Sequence, residues 1–276
     1  MRRNMLRVLF LLPMLLVPGG CGLTGFKATT TQVNNVPHVP GAALDVATRN
    51  GAITITGDPA ASDVQVTATI SAGGLTQDEA DQRLLATVLD VRRNAEGVLT
   101  VRVHWPEPKH SNDSAAFDIR LPDADGVTAV TSNGAVEVAK LGGHLRINTS
   151  NGRVRVTDHD GPAEVDTSNG SVTVTRLNGP LTVDTSNGSV TAEHVAGPMN
   201  MDTSNGSVQV VVDESFTGRV VFDTSNGRVR VTDGPGRVVK SNLKRSGGVI
   251  VVGDESTESV IDTSNGGITF EIQRGS

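Results

Sequence analysis

The sequence predicts an all-β fold, a single-stranded β-solenoid (β-helix) of about 18–21 positions per coil with one short helical excursion towards its N-terminus. Three observations carry this expectation. Thr-Ser-Asn-Gly begins at Thr131, Thr149, Thr167, Thr185, Thr203, Thr224 and Thr263, and its first four intervals are identical in length. Between these corners apolar and polar residues alternate with the period of a strand. The composition, with 31 glycines and no tyrosine among 276 residues, suits short strands punctuated by turns, not packed amphipathic helices.

In chain order, residues 1–20 read as a cleaved export signal. Arg2, Arg3 and Arg7 precede an apolar run from Val8 to Val17, too short to span a bilayer with ease, and small residues follow at Gly19 and Gly20. Cys21, the only cysteine, cannot form an internal disulfide. Its place behind Gly19 and Gly20 resembles the lipobox of bacterial lipoproteins, whose cysteine is acylated and becomes the mature N-terminus. Pro18 departs from the usual leucine, and an ordinary signal with an incidental cysteine is the competing reading. Acylation implies a membrane as partner, since each buried methylene adds about 0.8 kcal/mol of membrane affinity. It also implies an envelope location, the outer membrane if the cell is Gram-negative. Residues 21–43, rich in Gly, Thr and Pro, read as a flexible tether. Without residues 1–20 the chain keeps 21 Lys+Arg against 30 Asp+Glu, a charge of −9, which argues against nucleic acid.

Residues 44–130 are expected to be an irregular β part of the same stack. Val64–Ile70, Val98–Val103 and Ala116–Leu121 alternate as strands, and Thr48-Arg49-Asn50-Gly51 is a related corner. Thr76 with Glu79 forms a capping-box pattern opening a helix through about Leu85. Residues 131–276 form the regular solenoid. In the unit from Thr167 to Asp184, Val172 and Val174 share one face, Arg176–Gly179 turns the chain, and Leu181 and Val183 point inward. The long interval between Thr224 and Thr263 divides into one as long as that from Thr203 to Thr224 and one as long as that from Thr131 to Thr149, which predicts a degenerate corner at Arg245. Gly267–Ile272 would then be an open terminal edge.

At each corner glycine tolerates positive φ, and asparagine offers an amide that a stacked neighbour can bond. Asn133, Asn151, Asn169, Asn187, Asn205, Asn226 and Asn265 are expected to form an inward structural ladder. Asn-Gly is also a strong hairpin signal, so an up-and-down meander is the competing fold. The constant period favours stacked coils.

Units of the form Asn-Gly-Ser-Val-Thr-Val, the early Asn50-Gly51-Ala52-Ile53-Thr54-Ile55, and Ile119–Pro122 before the regular coils resemble the bacterial putative-adhesin β-strand-repeat family of unknown function, over residues 44–276. That resemblance implies a cell-envelope or secreted β-solenoid, in some members linked to envelope-stress sensing, with no catalytic residues to carry over.

The residues before the corners are Asn148, Asp166, Asp184, Asp202, Asp223, Lys244 and Asp262, an outward row in which Asp166, Asp184, Asp202 and Asp223 are consecutive. Carboxylates with serine hydroxyls could bind divalent cations weakly, but a solvated row is the simpler reading, since salt screens exposed charge. Stacked carboxylates also approach the separation used by retaining glycosidases, a spacing any Asp ladder produces. Sugar sites favour aromatic platforms, and the chain holds one Trp and six Phe. No Gly-x-Ser-x-Gly, His-Glu-x-x-His, zinc cluster or cofactor motif is present. His144, His159 and His194 are expected to decorate turns. The sequence therefore points to a non-enzymatic, membrane-anchored envelope lipoprotein acting as a binding, adhesion or scaffold module, whose partner would be an envelope protein or glycan. An envelope-stress sensor and a polysaccharide-active β-helix are the alternatives.

Overall fold

A computed structural model of the chain describes residues 25–274; the export signal and Cys21 lie outside the described residues. The fold is all-β, with two large, mostly parallel sheets that are not closed on one another and one short helix.

The regular region alternates between the sheets, one strand of each coil in each. Strands β8 (Val127–Thr131), β10 (Leu145–Thr149), β12 (Ala163–Thr167), β14 (Leu181–Thr185) and β16 (Met199–Thr203) stack in parallel in one sheet. Strands β9 (Val136–Gly142), β11 (Val154–Asp160), β13 (Val172–Asn178), β15 (Val190–Val195) and β17 (Val208–Asp213) stack in the other. Each residue faces its equivalent in the next coil, Val165 opposite Val183 and Val154 opposite Val172. No strand here pairs with its chain neighbour, so the up-and-down meander does not occur. A parallel pair needs a crossover, and the opposite sheet supplies it. The inward residues of both sheets, such as Val156, Val174, Leu181 and Met201, are buried in one continuous core.

N-terminal to the coils lie β1 (Phe26–Pro37), β2 (Leu44–Ala47), β3 (Ile53–Gly57), β4 (Asp63–Gly74), α1 (Gln77–Ala86), β5 (Val88–Arg93), β6 (Leu99–His104) and β7 (Ser114–Leu121). The early corner at Asn50 stacks under Thr131, because β2 pairs with β8 and β3 with β9. Beyond it the first sheet continues through β6 to β5, and the other through β7 and β4 to β1. The tether expected over residues 21–43 is not what residues 26–37 form. They pair antiparallel with β4 from Phe26 opposite Gly74 to Pro37 opposite Asp63. Threonine-rich alternation is a strand signal, and the flanking glycines and prolines concealed it.

Helix α1 packs on β1 and β4. Its first turn is closed by the Thr76 hydroxyl, which accepts from the Glu79 N–H at 3.1 Å, while the Glu79 carboxylate accepts from the Leu75 N–H at 2.7 Å. From its buried face Arg83 donates to Asp113 and to the Pro108 carbonyl, both at 2.7 Å. Asp113 also accepts from the Gly73 N–H at 3.0 Å, tying the helix to the sheet.

At the C-terminus chain order and spatial order part. Strands β18 (Gly218–Thr224) and β19 (Val229–Asp233) form the outermost coil, and β22 (Glu258–Thr263) and β23 (Ile268–Gln273) are inserted between it and β16 and β17. Thr263 thus lies opposite both Thr203 and Thr224. The degenerate corner expected at Arg245 is instead the turn of a hairpin, β20 (Val238–Lys244) and β21 (Gly247–Val252), whose second strand runs antiparallel to β18. The segment Gly267–Ile272 is not an open edge, because β23 is paired on both sides. Phe216, Phe222 and Phe270 close this end of the core edge to face, with the Phe270 centroid 6.0 and 5.6 Å from the other two.

Corner chemistry also differs from the expectation. Threonines such as Thr167, Thr185 and Thr203 are buried, and their hydroxyls bond to the corner glycines: Thr203 donates to the Gly188 carbonyl at 2.9 Å, and Thr185 accepts from the Gly188 N–H at 3.2 Å. The asparagines face outward and are exposed. Their amides bond one to the next, Asn133 to Asn50 at 2.7 Å and then Asn151, Asn169, Asn187 and Asn205 in order, each at 2.8 or 2.9 Å. Asn265 donates to Asn205 and Asn226 to Asn265, both at 2.8 Å, so the ladder follows space and not chain order. Strand alternation assigned the asparagines inward, but the chain leaves the extended conformation after the threonine. Because water competes for these amides, Asn187→Ala is expected to lower stability by only about 1 kcal/mol, measured by urea unfolding.

Candidate binding face

Over five coils the outer surface of the sheet that holds β14 repeats the same three side chains, while β8 and β10 carry Val130 and Asn148 at the aspartate position. Asp166, Asp184, Asp202, Asp262 and Asp223 lie in register on adjacent strands. The row therefore holds five consecutive aspartates, with Asp262 inside it. Lys244 does not interrupt the row, since it lies on the hairpin opposite Gly247. Beside the aspartates run exposed Ser168, Ser186, Ser204, Ser264 and Ser225, and then the asparagine ladder. At about 4.8 Å per strand, this is a regular lattice of carboxylate, hydroxyl and amide.

Electrostatics act along the row. Partial burial, then the charges of Asp202 and Asp223, hold the Asp262 carboxyl above its ordinary value. Among the described residues no group of three or more His, Cys, Asp or Glu side chains could hold a metal ion. Any cation on this row would lie between stacked carboxylates, with solvent completing its shell. An open concavity of about 290 Å³ lies at the end of the row, lined by Phe222, Asp223, Asn242, Lys244 and neighbouring residues. Its openness suits contact with an extended molecule better than sequestration of a small one.

The second turn of each coil carries a feature that the repeat motif did not reveal. Lys140, Asp158, Arg176 and His194, which occupy the same place in successive coils, all have φ between 54° and 57°. Each is skipped in the strand register, so Thr157 and His159 face Thr175 and Leu177 while Asp158 has no partner. These bulges aim a column of ionisable side chains at solvent. Arg176 forms a two-pronged ion pair with Asp158, which holds that carboxyl below its ordinary value. At the corners themselves, Gly152, Gly170, Gly188 and Gly206 do not have positive φ. Glycine is required there because a Cβ would lie 1.7–2.0 Å from the carbonyl oxygen of the corner glycine one coil back.

His159 is not a turn decoration. It fills a core position between Leu141 and Leu177 and is 2% exposed. Its Nε2 contacts the Gly143 carbonyl at 3.0 Å, and Nδ1 has no partner. Burial holds the imidazole below the ordinary histidine value. With the folded pKa depressed, the stability this residue contributes is present above the unfolded value of about 6.5 and is lost as the pH falls through the folded one. His159→Leu is expected to stabilise the fold by about 1–2 kcal/mol at pH 7 and to flatten its loss towards pH 5, read from thermal unfolding across pH.

No helix among the described residues is long and apolar enough to cross a membrane. No family model and no curated protein matches the chain. Among solved structures it is similar to a putative adhesin from Bacteroides fragilis, at 13% identity and a TM-score of 0.47, covering 90% of this chain and 100% of that one. A putative lipid binding protein from Parabacteroides distasonis matches at 12% identity and a TM-score of 0.45, covering 90% and 98%. A putative adhesin from the same organism matches at 14% and 0.41, covering 89% and 97%. All three scores lie below 0.5, so the reading of function rests on this chain's own residues.

Proposed function

We propose that this chain is a non-enzymatic cell-envelope lipoprotein, anchored through acylated Cys21, whose single-stranded β-solenoid displays the aspartate, serine and asparagine lattice to an extended partner, an envelope protein or a glycan chain. The observation that carries the reading is the row of five aspartates in register, flanked at every coil by the same serine and asparagine. Side chains recurring at a fixed pitch suit a partner with its own repeat. Like charges about 4.8 Å apart repel by roughly 0.9 kcal/mol per pair in water. A cationic partner, or weakly bound divalent cations along the row, would relieve that repulsion.

Two measurements test the parts separately. Mass spectrometry of the mature N-terminus should find diacylglycerol on Cys21, and a free thiol there refutes the anchor. Binding of a lysine-rich peptide, with calcium calorimetry alongside, should weaken at least tenfold when Asp184, Asp202 and Asp262 are all changed to Asn. Undiminished binding by that variant removes the face from consideration.

A further inference from the structure

Among the described residues the two sheets end in four edge strands, β1 and β19 in one and β5 and β20 in the other. Three of the four are blunted. β5 has six residues with Asp90, Arg92 and Arg93; β19 has five with Arg230 and Asp233; β20 has seven with Lys240 and Lys244 and a break in its register. Charge, shortness and bulges of this kind keep an edge from pairing with another chain. β1 is blunted least. It runs for 12 residues, about 40 Å, and carries one ionisable side chain, Lys27 near its start. One side is paired along its length to β4; on the other, the Lys27 carbonyl accepts from Gln77 and the Pro37 carbonyl from Arg93, and among the described residues the N–H and C=O groups of Thr29, Thr31, Val33 and Asn35 between them have no partner strand.

Exposed apolar residues lie at the starting end of β1 and on the helix packed against it. Phe26, at the start of β1, is 52% exposed; Leu75, which follows its partner Gly74, is 80% exposed. Leu85, on the helix that packs on β1 and β4, is 87% exposed. A strand pair alone would fall short of the roughly 800 Å² per partner of a stable interface, and these three side chains extend it with apolar area.

We infer that the β1 edge and the apolar residues flanking it form a two-fold interface with a second copy of this chain, β1 running antiparallel to its counterpart. Antiparallel pairing keeps the two Lys27 side chains at opposite ends of the new ladder, whereas parallel pairing would stack them. Two-fold symmetry requires a surface that meets itself without like-charge conflict, and a strand whose one charge lies near its end meets that condition. A bilayer fits less well, because lipid leaves the free backbone groups of an open edge unsatisfied.

Sedimentation velocity of the mature protein in density-matched detergent tests the interface, and exchange of the β1 amides into deuterium locates it. The expected result is a dimer with concentration-dependent protection of residues 26–37. Val33→Lys, on an exposed side chain near the middle of the strand, should weaken dimerisation at least tenfold, and Leu243→Lys on β20 should leave it unchanged. A monomer at every concentration overturns the proposal, as does a dimer indifferent to Val33→Lys. Protection of β1 only on adding phosphatidylcholine–phosphatidylglycerol vesicles to a monomer also overturns it and assigns the face to lipid. None of these outcomes depends on the state of Cys21 or on the aspartate row.

Discussion

Replacing Gly188 by alanine is expected to destabilise the protein by more than about 3 kcal/mol, beyond the usual effect of a single substitution. The added Cβ would lie 1.9 Å from the Gly170 carbonyl oxygen and 2.8 Å from the Thr185 hydroxyl. Neither group can retreat easily. The Gly188 N–H donates to that hydroxyl, and its carbonyl accepts from Thr203 in the next coil, so relieving the clash would separate three stacked corners. The matched control is Gly97→Ala, where φ is +84° and no atom lies within 4 Å of the added carbon. Only backbone strain of about 1 kcal/mol applies there. Urea unfolding of the two variants checks the comparison, and equal losses would refute the close-approach explanation.

Phe270→Ala is expected to cost about 3–5 kcal/mol, the range for truncating a buried aromatic side chain. Its ring is fully buried and is the common neighbour of Phe216 and Phe222. It also belongs to β23, the strand inserted between β17 and β19. The cavity would therefore loosen the inserted coil as well as the core. Hydrogen exchange should show protection lost along β22, β23 and β18 before it is lost along β10 to β14. Uniform loss along the whole stack would instead mean that the inserted coil is no separate cooperative unit.

Much of this architecture was legible because its chemistry is local. Val172, Val174, Leu181 and Val183 alternate with polar neighbours, so their burial follows from strand geometry alone. The helix start at Thr76 was legible for the same reason, since a capping box is complete within a single turn. The stacking of Asp166, Asp184 and Asp202 follows from the constancy of the repeat period. His159 was misplaced because a polar residue in a row otherwise occupied by leucine and valine is invisible without knowing which turn position is skipped. That skip depends on Lys140, Asp158, Arg176 and His194 adopting positive φ, residue types with no shared signature for it. β1 was missed because its pairing partner is distant in the chain, beginning only at Asp63, after β2 and β3 have intervened.

By itself the sequence determined that this chain builds stacked coils on a threonine, serine, asparagine and glycine corner, because every coil must bury the same stripe and satisfy the same backbone groups. Only the tertiary structure decided in which order the coils lie. Corners with identical chemistry bond equally well to any neighbour, so the amide ladder runs from Asn205 through Asn265 to Asn226 as readily as it would in chain order. The inserted arrangement is accompanied by a hairpin on the flank of β18 and by Phe222 and Phe270, which stand in core rows that Met201 and Val210 fill in the preceding coil and meet edge to face.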